Sequence, residues 1–222
     1  MTVRVGVVQF PGSNCELDVL EAVRMLGGSA EVVWHKDTAL RGIDALIIPG
    51  GFAHGDYLRP GALAQFSPIM ESVAQFAAEG GPIVGICNGF QVLTEVGLLP
   101  GALCQNEGLK FLCRTEWVRV ETSSSAITQN IEPGTELAIP INHFSGNYVA
   151  SPDTLAELAD EGRIVLRYVD NPNGSADDIA AICSQEGNVV GLMPHPERAI
   201  DVLLGSADGI PLLSSLLQVA GP

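Results

Sequence analysis

Positive charge is scarce in this chain: Lys and Arg number 11 against 26 Asp and Glu, a formal net charge of −15 over 222 residues. A phosphate backbone is bound through clustered cations, so nucleic acid is excluded as a partner, and the acidity reads mainly as solubility. The chain also lacks any Gly-x-x-x-x-Gly-Lys-Ser/Thr string, the loop that cradles phosphates in many ATP sites. No apolar run reaches the roughly 18 residues that span a bilayer, and the first residues enter a strand pattern with no basic-then-apolar leader. A cytoplasmic protein is expected. Five cysteines (Cys15, Cys87, Cys104, Cys113, Cys183) are odd in number and scattered, with no Cys-x-x-Cys pair. Neither a disulfide framework nor a zinc site is indicated, so reduced thiols and no metal are expected.

What the chain has in quantity is apolar residues, 46% of the total, enough for one α/β domain over residues 1–222 with a large core. The mean hydropathy of +0.27 leaves room for a surface buried against a partner. Val3–Gln9 reads as a strand. Ser13 and Glu16, three apart, have the form of a capping box opening a helix that Gly27-Gly28 closes. Strands follow at Ala30–Trp34 and Asp44–Pro49, the latter almost wholly apolar, as strands covered on both faces are. The glycine-rich polar stretch from Gly50 to Gly61 is a loop at the carboxyl end of a strand, where open α/β sheets hold their ligands. A helix opens at Ser67-Pro68 and ends at Gly80-Gly81. From Gly101 to about Glu161 the βα alternation fades into an antiparallel, edge-like region that includes Trp117–Glu121. Three more strands, at Arg163–Val169, Ile179–Cys183 and Val189–Met193, precede an amphipathic helix with Leu213, Leu216, Leu217 and Ala220 on one side. The expected architecture is a doubly wound, mostly parallel sheet with helices on both faces and some antiparallel edge strands.

The stretch Pro82–Gln91 is the most informative. Ile83, Val84 and Ile86 form a buried strand, and Phe90 to Val96 a helix. Cys87 stands at the corner, with Gly85 and Gly89 two residues to either side, the spacing of a nucleophile elbow. The partial positive charge of the helix N-terminus favours a thiolate there. The plain alternative is a small buried thiol in the core.

A thiolate nucleophile needs a base and a group that orients the base. Of four histidines, His195 stands just past an apolar strand in Pro194-His195-Pro196-Glu197-Arg198. The prolines favour extended chain, in which residues two apart share a face, so His195 and Glu197 can pair. A solvated His-Glu pair in a surface turn is the alternative. An oxyanion hole is expected from the backbone N–H groups of Asn88 and Gly51. His54 and His143 read as structural or surface residues.

Gly85-Ile86-Cys87-Asn88-Gly89-Phe90-Gln91 together with Pro194-His195-Pro196-Glu197 resembles the class I, or triad, glutamine amidotransferases, whose fold is flavodoxin-like. Phe10-Pro11-Gly12-Ser13-Asn14-Cys15, Pro49-Gly50-Gly51-Phe52 with Gly55-Asp56-Tyr57-Leu58-Arg59, and Asn171-Pro172-Asn173-Gly174-Ser175 are similar to the glutaminase subunits that serve de novo purine synthesis. The resemblance implies Cys87 as the nucleophile that forms a γ-glutamyl thioester, His195 as general base and acid, and Glu197 as the group orienting His195. It implies Gln91, Ser145, Gly146 and Asn147 as substrate-binding residues for glutamine. Phe144-Ser145 stands where the family has Gly-Glu between His and Gly, and Ala53-His54 and Pro60 also depart from the usual loop.

By the same resemblance this chain binds no cofactor; ATP and Mg²⁺ belong to a large synthetase subunit, assisted by a small third subunit, to which the ammonia passes. The implied product is formylglycinamidine ribonucleotide, made from formylglycinamide ribonucleotide. Rival readings are a glutaminase serving another acceptor, a cysteine peptidase-like relative and a non-catalytic scaffold subunit of the same fold.

Overall fold

Near-continuous apolar runs build the centre of the sheet. In the computed structural model, which describes residues 2–221, strands β1 (Arg4–Gln9), β2 (Ser29–Trp34), β3 (Ala45–Ile48) and β4 (Ile83–Ile86) lie parallel, and all of β3 and β4 is buried. Helix α1 (Glu16–Met25) connects β1 to β2, and α2 (Ile69–Ala78) connects β3 to β4. The remaining elements are α3 (Asn88–Glu95), β5 (Ala102–Cys104), β6 (Leu112–Val120), β7 (Glu136–His143), β8 (Asn147–Val149), α4 (Pro152–Asp160), β9 (Ile164–Tyr168), β10 (Ile179–Cys183), β11 (Val189–Leu192) and α5 (Gly209–Ala220).

Nine strands form one mixed sheet in the order β2-β1-β3-β4-β11-β10-β9-β6-β7. The first five positions are parallel and follow the flavodoxin-like order 2-1-3-4-5, with the last strand of the chain in fifth place. From β11 through β10, β9 and β6 to β7 every pairing is antiparallel. The crossovers β1-α1-β2 and β3-α2-β4 run in opposite directions along the sheet, so the right-handed rule puts α1 and α2 on opposite faces. Helix α5 joins α1, where Ala22, Ile200 and Leu213 form a small cluster apart from the main core. Among the described residues no helix is long and apolar enough to cross a membrane.

Several local expectations change. Ser13 and Glu16 do not form a capping box: Ser13 Oγ accepts from the Phe10 N–H, Glu16 accepts from Gln9, and the N-cap position falls to Cys15. The serine closes the turn leaving β1, satisfying the Phe10 N–H. The antiparallel region holds two features without a clear pattern in the sequence: the separate ribbon β5-β8, three residues a strand, and helix α4, capped by Ser151. Strand β6 also begins five residues earlier than its alternation suggests, because Cys113, Arg114 and Thr115 are exposed in succession and show no alternation.

Helix α3 begins directly after Cys87 and packs hard onto the sheet. A Cβ on Gly89 would lie 1.9 Å from Ile48 O, and one on Gly85 would lie 2.6 Å from Gly89 O. Both glycines are therefore needed for close approach rather than for a left-handed backbone, and the positive φ falls on Cys87 itself. Gly89→Ala is expected to destabilise the fold by about 3 kcal/mol or more through overpacking. Gly108→Ala, with nothing within 4 Å of its Cβ, is expected to stay within about 0.5 kcal/mol of the parent. Denaturant midpoints compare the two.

Candidate active site

Past the carboxyl ends of β3, β4 and β11 the surface opens into a cavity of about 840 Å³, whose wall includes Gly51, Cys87, Gln91, His143, Ser145 and His195. Cys87 sits at φ 52° and ψ −103°, a conformation that costs a non-glycine residue on the order of 1–3 kcal/mol. Two backbone bonds hold it there: its N–H donates to Leu192 O at 2.7 Å, and its carbonyl accepts from Gln91 N–H at 3.2 Å as the helix starts. The thiol lies 3.7 Å from Asn142 O on the end of β7.

His195 enters from the far side, placed by its N–H on Pro140 O at 2.8 Å. Its Nδ1–H donates to Glu197 Oε1 at 2.6 Å, which fixes the ring and turns Nε2 inward. The pairing is made by a single 3-10 turn, Pro196–Arg198, and not by the extended chain expected there. Proline fits the first position of that turn because its missing N–H has no partner to lose. His195 and Glu197 are 1% and 2% exposed, so this is a dry ion pair rather than a solvated one. Burial works against the imidazolium, but the Glu197 carboxylate, the Cys87 sulfur and contacts to Cys15 and Cys87 outweigh it and hold His195 well above the ordinary histidine range. Nε2 meets neither sulfur with good hydrogen-bond geometry, so the attraction here is chiefly charge.

The Asn88 N–H stands at the first helical position, where it has no intrahelical acceptor, and Gly51 lines the cavity. Asn88's side chain is turned away and saturated. Its Oδ1 accepts from Ala53 N–H at 2.9 Å, and its Nδ2 donates to Gln91 Oε1 at 2.8 Å and to Asp56 Oδ1 at 3.2 Å. Gln91 in turn donates to Ser145 O at 2.6 Å. Gln91 and Ser145 line the cavity, whereas Gly146 and Asn147 do not. Gly146 N–H donates to Asn106 Oδ1, and Gly146 O accepts from Asn173 Nδ2. Asn147 is the first residue of β8. The two asparagines hold Gly146, and entry into the ribbon takes Asn147, so neither lines the cavity.

Asp56 and Cys15 lie in strings that carry the resemblance, but neither they nor Asn106 was expected as a residue of the site. Cys15 Sγ accepts from Arg198 Nη2 at 3.2 Å and donates to Asn14 Oδ1. Cys15, His195 and Glu197 bring one sulfur, one nitrogen and one oxygen within 4.8 Å of one another. The guanidinium already on that sulfur, and Glu197's bond to His195, make the trio a poor cation site.

His143 is buried beside the pair, with Nδ1–H donating to Asn106 Oδ1. Burial first, and the charge of His195 second, push it down to about 4. It is neutral where His195 is charged. Between about pH 6.5 and pH 4 an unfolded His143 binds a proton that the folded one refuses, so stability from this residue is full above pH 6.5 and lost as pH falls through 4. His143→Gln is expected to lose less stability than the parent between pH 7 and pH 4.5, by on the order of 3 kcal/mol. Urea titrations at the two pH values measure it.

Residues 2–207 match the CobB/CobQ-like glutamine amidotransferase domain. The chain is 59% identical over 217 residues to the phosphoribosylformylglycinamidine synthase subunit PurQ of Rubrobacter xylanophilus, covering 98% of this chain and 99% of the relative. It is 54% identical over 220 residues to the same-named subunit of Rhodococcus jostii, covering 98% of each. A chain in the structure of PurLQS from Thermotoga maritima superposes with a TM-score of 0.91 at 43% identity, covering 98% of this chain and 99% of that one. A glutamine amidotransferase from Thermotoga maritima, at 16% identity and a TM-score of 0.63 over the full length of both chains, shares the fold. The chain belongs to the CobB/CobQ-like glutamine amidotransferase family.

Proposed function

We propose that this chain is the glutaminase subunit of a phosphoribosylformylglycinamidine synthase. The observation that carries the reading is Cys87 held at a strained strand-to-helix corner, facing an imidazole that a buried carboxylate orients at 2.6 Å. Cys87 Sγ attacks the side-chain amide carbon of glutamine, and the amide oxygen takes the developing charge against the N–H groups of Asn88 and Gly51. His195 gives its proton to the departing nitrogen, releasing ammonia and leaving a γ-glutamyl thioester on Cys87. His195 then takes a proton from water, whose oxygen attacks the thioester, and glutamate leaves as the thiol is restored. Glu197 keeps Nδ1 protonated throughout and stabilises the charged ring.

The family relatives named as PurQ, and the similar chain within PurLQS, support ammonia delivery to a separate ATP-dependent synthetase subunit. That subunit would convert formylglycinamide ribonucleotide to its amidine in the cytoplasm, with a small third subunit assisting and with ATP and Mg²⁺ held there and not on this chain.

Release of glutamate from glutamine is to be measured for the chain alone and for the chain with its synthetase subunit, the small subunit, formylglycinamide ribonucleotide and ATP. Release is expected to be weak alone and strong in the assembly, with amidine formed. Cys87→Ala should lose it by more than about 1,000-fold, with unchanged unfolding temperature. Glutamate release without amidine would point to another acceptor; a fully active isolated subunit would contradict the dependence on the partner.

A further inference from the structure

Asp56 is a half-buried carboxylate in the cavity wall, and among the described residues it has no Lys, Arg or His partner. The other charged groups in that wall are accounted for. Both donors of Arg59 that face Glu95 are bonded to it, at 2.6 Å each, and Glu107 is exposed. A carboxylate in such a place is costly without a cation. The chain nevertheless goes to some length to hold it there. His54, Gly55 and Asp56 take φ values of 54°, 72° and 53° in succession, two of them non-glycine residues in a conformation that disfavours a Cβ. Asn88, the residue next to Cys87, clasps this loop at Ala53 N–H and at Asp56 Oδ1.

One nitrogen, Asn88 Nδ2, donates to both Asp56 Oδ1 and Gln91 Oε1. These two oxygens are therefore neighbours on the same wall, beside the nucleophile, and neither is capped by a positive charge. A primary ammonium group has three donors and one positive charge, which is what such a pair of acceptors lacks. Glutamine carries that group on the end of the molecule away from its reacting amide. Resting on the glutaminase reading above, we propose that Asp56 is a specificity-determining residue that binds the α-ammonium of glutamine, with Gln91 Oε1 as the second acceptor and Asn88 as the residue that positions both. Burial pushes the Asp56 carboxyl up to about 6, against a smaller opposing effect of the Asn88 hydrogen bond. The unliganded carboxylate is thus poorly compensated, and a bound ammonium supplies the missing charge.

A role in recognition changes substrate preference, whereas a role in chemistry slows both substrates alike. In the complete synthetase assembly, hydrolysis of glutamine is compared with that of 4-carbamoylbutanoate, which is glutamine without its α-amino group. The parent is expected to prefer glutamine by about 100-fold or more in kcat/KM. Asp56→Asn keeps the acceptor for Asn88 but removes the charge. It is expected to raise KM for glutamine by about 30-fold with kcat within about threefold, leaving 4-carbamoylbutanoate nearly unaffected, so that the preference collapses. Asp56→Ala should collapse it in the same direction. Equal losses on both substrates, or an unchanged preference in a variant that retains the parent unfolding temperature, would overturn the assignment while leaving the glutaminase intact. No hydrolysis of glutamine by the parent assembly, together with no labelling of Cys87 by a glutamine-mimicking electrophile, would overturn both.

Discussion

Helix α3 lies so close to β3 and β4 that no Cβ fits at Gly89 beside Ile48 O, and the rest of the site follows from that approach. With the helix starting immediately after the strand, the turn has no residue to spare, and Cys87 takes a positive φ. The strain, on the order of 1–3 kcal/mol, is small beside what the contact provides. Phe90, Val92 and Leu93 are completely buried in the same helix, each worth about 1.5–3 kcal/mol. Phe90 also fills the space above Gly191, where a Cβ would strike its ring, and stacks on Tyr148. One packing contact thus exposes the thiol to the cavity, starts a helix dipole beside it and seats β11, whose exit carries His195.

Around this rigid corner the cavity loops are held by amide side chains. Asn88 ties the 53–56 turn to α3, Asn106 Nδ2 and Oδ1 reach the His143 carbonyl, the His143 ring and Gly146, and Asn173 anchors Gly146 from the other side. An asparagine has two donors and an acceptor on a short arm, so one residue can satisfy several buried backbone groups of irregular chain. Asn171 does the same for its own turn, accepting from the N–H groups of Asn173 and Gly174. The Asn171–Ser175 string therefore braces the loop carrying Ser145, and none of its residues lines the cavity.

Electrostatics divides the molecule in two. The exterior carries most of the acidic excess, and its ion pairs, such as Arg4–Glu31, are exposed and contribute little. Around the cavity the charges have counterparts: His195, in its wall, pairs with Glu197, and Arg198, outside the wall, meets Asp18 and the Cys15 sulfur. His143 stays neutral first because it is buried, and second because His195 beside it is cationic. Asp56, half-buried in the cavity wall, has among the described residues only the neutral amide of Asn88 as a side-chain partner.

Cys87, His195 and Glu197 were readable from the sequence because each sits in a short string with its own mechanical reason: glycines flanking a corner, prolines flanking a turn. The parallel half of the sheet was readable for a similar cause, since strands buried on both faces are apolar at every position. Local patterns failed where a polar group had a choice of nearby partners or turn geometries, and where the deciding contact lies far along the chain. Ser13 serves Phe10 rather than a helix cap, the His195–Glu197 pair closes through a 3-10 turn, Gly146 is held by Asn106 and Asn173, and Asn147 enters the ribbon strand β8. Asp56 is one more polar residue in a glycine-rich loop until Asn88, 32 positions away, brings it to the wall of the cavity. The sequence by itself determined which groups can react, because that is a matter of residue type and local backbone. Only the tertiary structure decided which polar groups lose water together, and burial is what sets their charge and their partners.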